Sequence, residues 1–213
     1  MKGITFGSYH SYNDLKLVLN SKEIGTPSVK ERKIEIEGAD GFLDLTDFFG
    51  GEPKFENVTH RFEFSTIVPQ SEFLSLFSSI KNALHGKKMR IILDGDPLFY
   101  YLGRISVSPL TNEKNIGKIT IECDCEPYKY KLNKTIVSRT VSETGIVKLT
   151  NSRKRAVPKI TTTSAFTIIF GETTWAVGAG TFTLPELELI EGDNYVSAIG
   201  TGSISFEWQE GEL

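Results

Sequence analysis

The sequence predicts a mostly β protein in two parts, an α+β first unit followed by a small β-sandwich, and three observations carry that prediction. Apolar and polar residues alternate strictly in Lys33-Ile34-Glu35-Ile36-Glu37 and again in His60-Arg61-Phe62-Glu63-Phe64-Ser65, the pattern of strands with one buried face. One stretch changes period: Phe73, Leu76, Phe77, Ile80 and Leu84 form a single apolar stripe at helical spacing. Beyond residue 142 turn residues recur at short intervals, at Gly145, Asn151-Ser152, Gly171, Gly178 to Gly180, Gly192-Asp193-Asn194 and Gly200 to Gly202. Such spacing suits a small sandwich of short strands.

Along the first unit, the strand at His60 is expected to point His60 outward. The helix is expected over residues 71–85, with Ser71 as N-cap, Glu72 in its first turn and Gly86 as the stop after His85. His85 then lies at the negative end of the helix dipole. Met89 to Leu93 and Leu98 to Leu102 flank the turn Asp94-Gly95-Asp96-Pro97 and read as a hairpin. Ile105 to Ser108 and Lys118 to Cys123 follow as strands, and the unit closes near Tyr130. Residues 131–142, polar and without strong periodicity, read as a junction. The expected domains are therefore 1–132 and 133–213. In the second, Phe166/Ile168/Phe170, Leu187/Leu189 and Ile204/Phe206/Trp208 each mark an inward face.

The 213 residues are 39% hydrophobic and 24% charged, with a net charge of −3. That balance suits a globular protein and argues against one that grips nucleic acid by its phosphates, which needs a basic excess. DNA merely passing by is compatible with it. No apolar run is long enough to span a bilayer, and the N-terminus lacks the apolar core of a secretory signal. Cys123 and Cys125, two apart on a strand, would place their Cα atoms about 6.5 Å apart, near the outer limit for a disulfide. Two buried free thiols suit assembly in a reducing cytoplasm, and without a nearby histidine a metal site is not expected.

Chemistry is hard to find in this sequence. His10, His60 and His85 are scattered, and no nucleophile elbow, phosphate loop or zinc motif is present. Asp94-Gly95-Asp96 lacks the rest of a calcium loop, so no cofactor, metal or catalytic residue is expected. Trp175 and Tyr195 are the candidates for a sugar-stacking platform, since Trp208 is in phase with Ile204 and Phe206 and should face the core. Charge in the second unit is segregated. Residues 134–159 hold seven Lys or Arg against Glu143, whereas residues 160–213 hold eight acids and no Lys or Arg. Either the two sets pair across the sheet, or the run Arg153-Lys154-Arg155 forms a docking surface.

Three segments resemble the distal tail proteins of long-tailed phages and prophages of Gram-positive bacteria. The first is the alternating strand ending in Gly38-Ala39-Asp40-Gly41, then Phe42-Leu43-Asp44-Leu45-Thr46, followed by Phe48-Phe49-Gly50-Gly51 and Phe55-Glu56-Asn57. Where the family carries Arg after that Asn, this chain has Val58. The second is Cys125-Glu126-Pro127-Tyr128-Lys129-Tyr130, and the third runs from Gly192-Asp193-Asn194-Tyr195 to Phe206.

The resemblance implies a tail-tube-like β-barrel with split sheets and one helix as the ring-forming domain, then a galectin-like β-sandwich. It implies a non-enzymatic structural protein, made in the host cytoplasm and resident in the virion at the tail tip. Six copies would form a ring joining the tail-tube protein to the tail-associated tip protein, with DNA as passing cargo, no membrane, and a receptor-binding protein as a further candidate partner. The apolar, glycine-rich loop of residues 38–51 then becomes the expected subunit interface, through Phe42, Leu43, Leu45, Phe48 and Phe49. The competing reading is a carbohydrate-binding adhesin for host attachment, with Trp175 and Tyr195 in the site.

Overall fold

In the computed structural model, residues 3–48, 50–113 and 116–213 are described. The chain divides into two compact units, residues 1–129 with Leu213 and residues 130–212. Mostly β structure dominates both, with one α-helix among the described residues.

The first unit contains β1 (Ile4–Phe6), β2 (Tyr9–His10), β3 (Leu17–Glu23), β4 (Lys33–Glu35), β5 (Phe42–Asp44), β6 (Val58–Thr66), helix α1 (Phe73–Leu84), β7 (Lys88–Leu93), β8 (Phe99–Val107), β9 (Thr111–Glu113) and β10 (Ile116–Cys125). Its main sheet runs in the order β2-β1-β7-β8-β10-β6-β3, with β9 on the end of β10. The pairings along it are antiparallel. Period-two alternation then decides what is buried. Phe62 and Phe64 of β6, Ile119 and Ile121 of β10, Ile105 and Val107 of β8, and Ile4 and Phe6 of β1 share one core. Phe6 meets both Phe62 and Phe64 edge to face, with centroids 6.1 and 6.2 Å apart. Helix α1 closes that core with Ile80 and Leu84, and Leu76 and Phe77 pack at its margin.

The helix starts later than its polar signals suggest. A 3₁₀ turn takes Gln70–Glu72, and Glu72 occupies the N-cap position without a side-chain capping bond, so Ser71 is no cap. Gly86 adopts φ +77° just past the last turn, as a helix stop does. His85 Nδ1 accepts the Val107 amide at 3.0 Å, which ties the helix end to β8. The hairpin strands also extend further than expected, since β8 runs without a break from Phe99 to Val107.

Another difference concerns His60. It is fully buried, because on a strand it shares parity with Phe62 and Phe64. Cys123, opposite it on β10, and Cys125 are both buried free thiols. Burial raises the pKa of both, that of Cys125 to about 12.

The second unit follows β11 (Lys129–Lys131), a strand at the division between the units, and contains β12 (Thr135–Asn151), β13 (Lys159–Thr162), β14 (Phe166–Phe170), β15 (Thr173–Val177), β16 (Gly180–Thr183), β17 (Gly192–Trp208) and β18 (Gly211–Glu212). Strands β12 and β17 pair over all 17 residues of each. The opposite edge of β17 takes β14 along Ser197 to Gly200 and β13 along Ile204 to Glu207. β15 and β16 flank these two strands, giving one six-stranded sheet rather than two separately bonded ones. Val147, Leu149, Val196 and Ala198 share a core with Val141, Ile160, Ile204, Phe206 and Trp208.

The polar stretch expected as a junction is therefore the start of a strand. Ser138, Thr140 and Ser142 occupy the outer face, where Ser138 Oγ meets Ser205 Oγ at 2.9 Å. Gly200 and Gly202 are not a turn either. They lie inside β17 at φ +151° and +145°, where a Cβ would come within 2.7 Å of Ala165 O and 2.4 Å of Ser164 Oγ, respectively. That close approach is what glycine permits.

Candidate interaction surfaces

Between β3 and β6, the described residues of the stretch 24–57 leave the main sheet as an arm, most of them exposed and none buried. The outgoing and returning rails bond to each other: Lys30 N donates to Lys54 O at 2.7 Å, Glu56 N to Ser28 O at 2.8 Å, and Val29 bridges Phe55. Toward the tip β4 and β5 form a hairpin, closed by Gly38 and Gly41 at φ +82° and +78°. On the return, Asp44 Oδ1 accepts the Thr46 amide at 2.9 Å and Thr46 Oγ1 accepts the Arg32 amide at 3.1 Å. Hydrogen bonds from the Thr46 side chain and backbone hold the Asp44 carboxyl below its usual pKa. The Gly-x-Asp-Gly and Asp-Leu-Thr motifs are thus the turn and lock of this hairpin.

The register sorts the arm's apolar residues onto two faces. Ile34 lies opposite Leu43, and both are about half exposed. Glu35 lies opposite Phe42, and the Lys33 ammonium sits 4.7 Å over the Phe42 ring. Phe42 therefore belongs to a charged face, Leu43 to an apolar one with Ile34. Leu45 is half-buried, its amide bonded to Arg32 O at 2.8 Å, while Phe48 is 72% exposed. Phe49 lies outside the described residues. Ile34 and Ile36, exposed at 44% and 52%, are apolar arm residues that the loop-centred sequence reading left out; the alternation that marked them as a strand was the available signal. At the arm's root Phe55 packs edge to face on Tyr128, centroids 6.0 Å apart, so two of the three resemblance motifs meet.

In the second unit the segregated charges pair. Lys134 reaches Glu207 at 2.6 Å, Lys148 reaches Asp193 at 2.8 Å, Arg153 reaches Glu191 at 2.7 Å and Arg155 reaches Glu188 at 2.9 Å. Lys154 lies 5.1 Å over the Tyr130 ring. Arg153 and Arg155 of the basic run thus meet acids of their own unit, as pairing across the sheet would have it. Bonds to Lys148 and Thr150 lower the Asp193 pKa, and the bond to Lys134 lowers that of Glu207.

Glu210 is a different case because it is buried. Lys131 Nζ donates to it at 2.6 Å, and the Thr135 and Ser152 hydroxyls donate as well. Burial alone would raise its pKa; the bonds from Lys131, Ser152 and Thr135 outweigh that and hold it below the usual value. A depressed carboxylate stabilises the fold above its unfolded pKa and loses that contribution as pH falls through the folded value. Acid unfolding of the second unit, followed by Trp208 fluorescence, should accordingly be less steep below the carboxylate range in Glu210→Gln than in the parent chain.

Trp175 and Tyr195 do not come together. Trp175 lies opposite Ile168, which lies opposite Ala198, so the three share the core-facing side, and Trp175 packs on the core. Tyr195, three residues before Ala198 on the same strand, points to the other side and is 57% exposed. Trp208 is buried and donates its indole N–H to Asn151 Oδ1 at 3.1 Å.

His10 and Asp94 touch at 3.2 Å, but the other ring nitrogen already accepts the Tyr12 and Asn13 amides. Buried Ser11 is likewise committed, accepting the Ile4 amide. Among the described residues no group of His, Cys, Asp and Glu could hold a metal ion, and no helix is long and apolar enough to cross a membrane.

The comparisons turn on fold. No family model matches the chain, and no curated protein matches it in sequence. The crystal structure of SPP1 Dit (gp 19.1), described as a paradigm of the hub adsorption apparatus in phages that infect Gram-positive bacteria, superposes with a TM-score of 0.74. This chain has the fold of SPP1 Dit. The match covers 100% of both chains at 15% identity, so the whole architecture is shared although most side chains differ.

Proposed function

We propose that the protein is a structural hub subunit of a phage tail tip, without enzymatic activity, that assembles into a six-membered ring through its arm. The observation that carries this reading is the full-length likeness to SPP1 Dit, a hub protein by its description. The arm supports it from the physics. A glycine-closed hairpin with Ile34, Ile36, Leu43 and Phe48 exposed is costly in water and finds cover against a neighbouring copy. The first unit would form the ring, between the tail-tube protein and the tail-associated tip protein, with DNA passing through. The second would be a galectin-like sandwich facing outward, open to a receptor-binding protein. Sedimentation of the purified chain tests the assembly: the mass should be six times 23.7 kDa, and a chain that stays monomeric at every concentration contradicts it.

The adhesin reading loses its geometry, since Trp175 and Tyr195 lie on opposite sides of one sheet. Titration with host cell-wall polysaccharide should give no saturable binding, and Trp175→Ala should change nothing in that assay. Saturable binding that Trp175→Ala abolishes would restore the adhesin reading.

A further inference from the structure

We propose that His60 is an acid-sensitive latch at the root of the arm, holding the Gly25 amide while its imidazole is neutral and releasing the arm when the ring takes up a proton. Gly25 is the second residue of the arm, and its amide donates to His60 Nδ1 at 3.2 Å. The backbone there presses against β6: a Cβ on Gly25 would come within 2.7 Å of both Thr59 O and Val58 Cγ2. The arm root is thus seated on the strand that carries His60, and the Gly25–His60 bond is the polar contact that fixes it.

The ring can accept that bond only when Nδ1 is unprotonated. Nε2 then carries the hydrogen, and it is buried without a partner. A second proton on Nδ1 would face the Gly25 N–H, donor against donor, on a ring buried in the fold.

The groups facing the ring are Tyr101 of β8, edge to face at 4.3 Å, and the Cys123 thiol opposite it on β10. Lys129, which pairs with Asp96 at 3.1 Å, lines the same cleft of about 370 Å³ together with Ile24 and Pro27 of the arm. Burial holds the His60 pKa at about 4, against an ordinary value of about 6.5 once the arm root lifts and water enters.

The sign follows from linkage. The released state binds the proton more tightly, so release is favoured as pH falls below about 6.5 and levels off near the closed-state value. From pH 7.5 to pH 5 those two values give an opening equilibrium raised about 30-fold. What a released arm does to assembly rests on the ring reading above; the latch itself does not.

Hydrogen exchange on the full chain tests it. The protection factor of the Gly25 amide, corrected for the pH dependence of intrinsic exchange, should fall about 30-fold from pH 7.5 to 5, while that of Ile121 in mid-β10 stays constant. In His60→Asn the side-chain oxygen replaces Nδ1 as acceptor and does not titrate, so Gly25 protection should be flat across the same range. Constant Gly25 protection in the parent chain, or an equal fall in His60→Asn, overturns the latch. Should that variant not fold, an NMR titration of the His60 ring in the parent chain decides: titration near 6.5 overturns the proposal, and titration well below it, with Gly25 losing protection, supports it. Sedimentation reads the ring separately, so a monomer with a working latch would sink the ring reading alone.

Discussion

Phe206→Ala is expected to lower the stability of the second unit by about 3–5 kcal/mol, the cost of emptying a large buried aromatic site. Phe206 is fully buried near the C-terminal end of β17, with Val137 opposite on β12 and Ile160 opposite on β13. It therefore joins three strands, and the surrounding backbone, hydrogen-bonded on both edges, has little freedom to collapse into the gap. Urea unfolding followed by Trp208 fluorescence measures the loss. Ile136→Ala on the outer face, where Ile136 is 60% exposed, is the control and should change stability by about 0.5 kcal/mol or less. A larger loss from Ile136→Ala than from Phe206→Ala would mean that the inner and outer faces of β12 and β17 have been exchanged, and with them the whole register.

The second large effect concerns assembly rather than folding. Phe48→Asp or Leu43→Asp should weaken subunit association by at least about 2 kcal/mol, roughly 30-fold, as loss of an interfacial anchor does. The circular dichroism and melting temperature of the chain should barely change, because neither side chain belongs to a core. Phe42→Asp should do less, since Phe42 already lies on the charged face under Lys33. That ranking separates an interface on the Ile34–Leu43 face from an undirected hydrophobic contact, in which the larger Phe42 would matter more. If Phe48→Asp unfolds the chain, the arm is part of the subunit's own core and the interface assignment fails.

The parts of this structure legible in the sequence are those where a repeating pattern meets one buried face. The stripe Phe73, Leu76, Phe77, Ile80, Leu84 fixed the helix because a helix on a sheet must bury one side. His60 to Ser65 declared itself by alternation, and the same alternation placed His60 in the core; its polarity argued the other way and was the wrong guide. Other features depend on what lies opposite in space. Residues 135–142 form a strand because β17 pairs with them; their β-branched Thr135, Ile136, Val137, Thr140 and Val141 suit it, but Arg139 interrupts the apolar alternation. Gly200 and Gly202 mark a close approach by the Ala165 backbone and the Ser164 side chain, respectively, which in sequence is indistinguishable from a turn. The separation of Trp175 from Tyr195 follows from register across three strands. The arm's motifs were visible as words, but their division into an apolar face and a charged face needed the pairing of Ile34 with Leu43.

Electron microscopy of the purified chain tests the central claim most directly. Closed rings of six subunits are expected, with a central opening wide enough for duplex DNA and the arm of residues 24–57 lying between subunits. Monomers, open filaments, rings of another number, or six-membered rings with the arms free in solvent would contradict it.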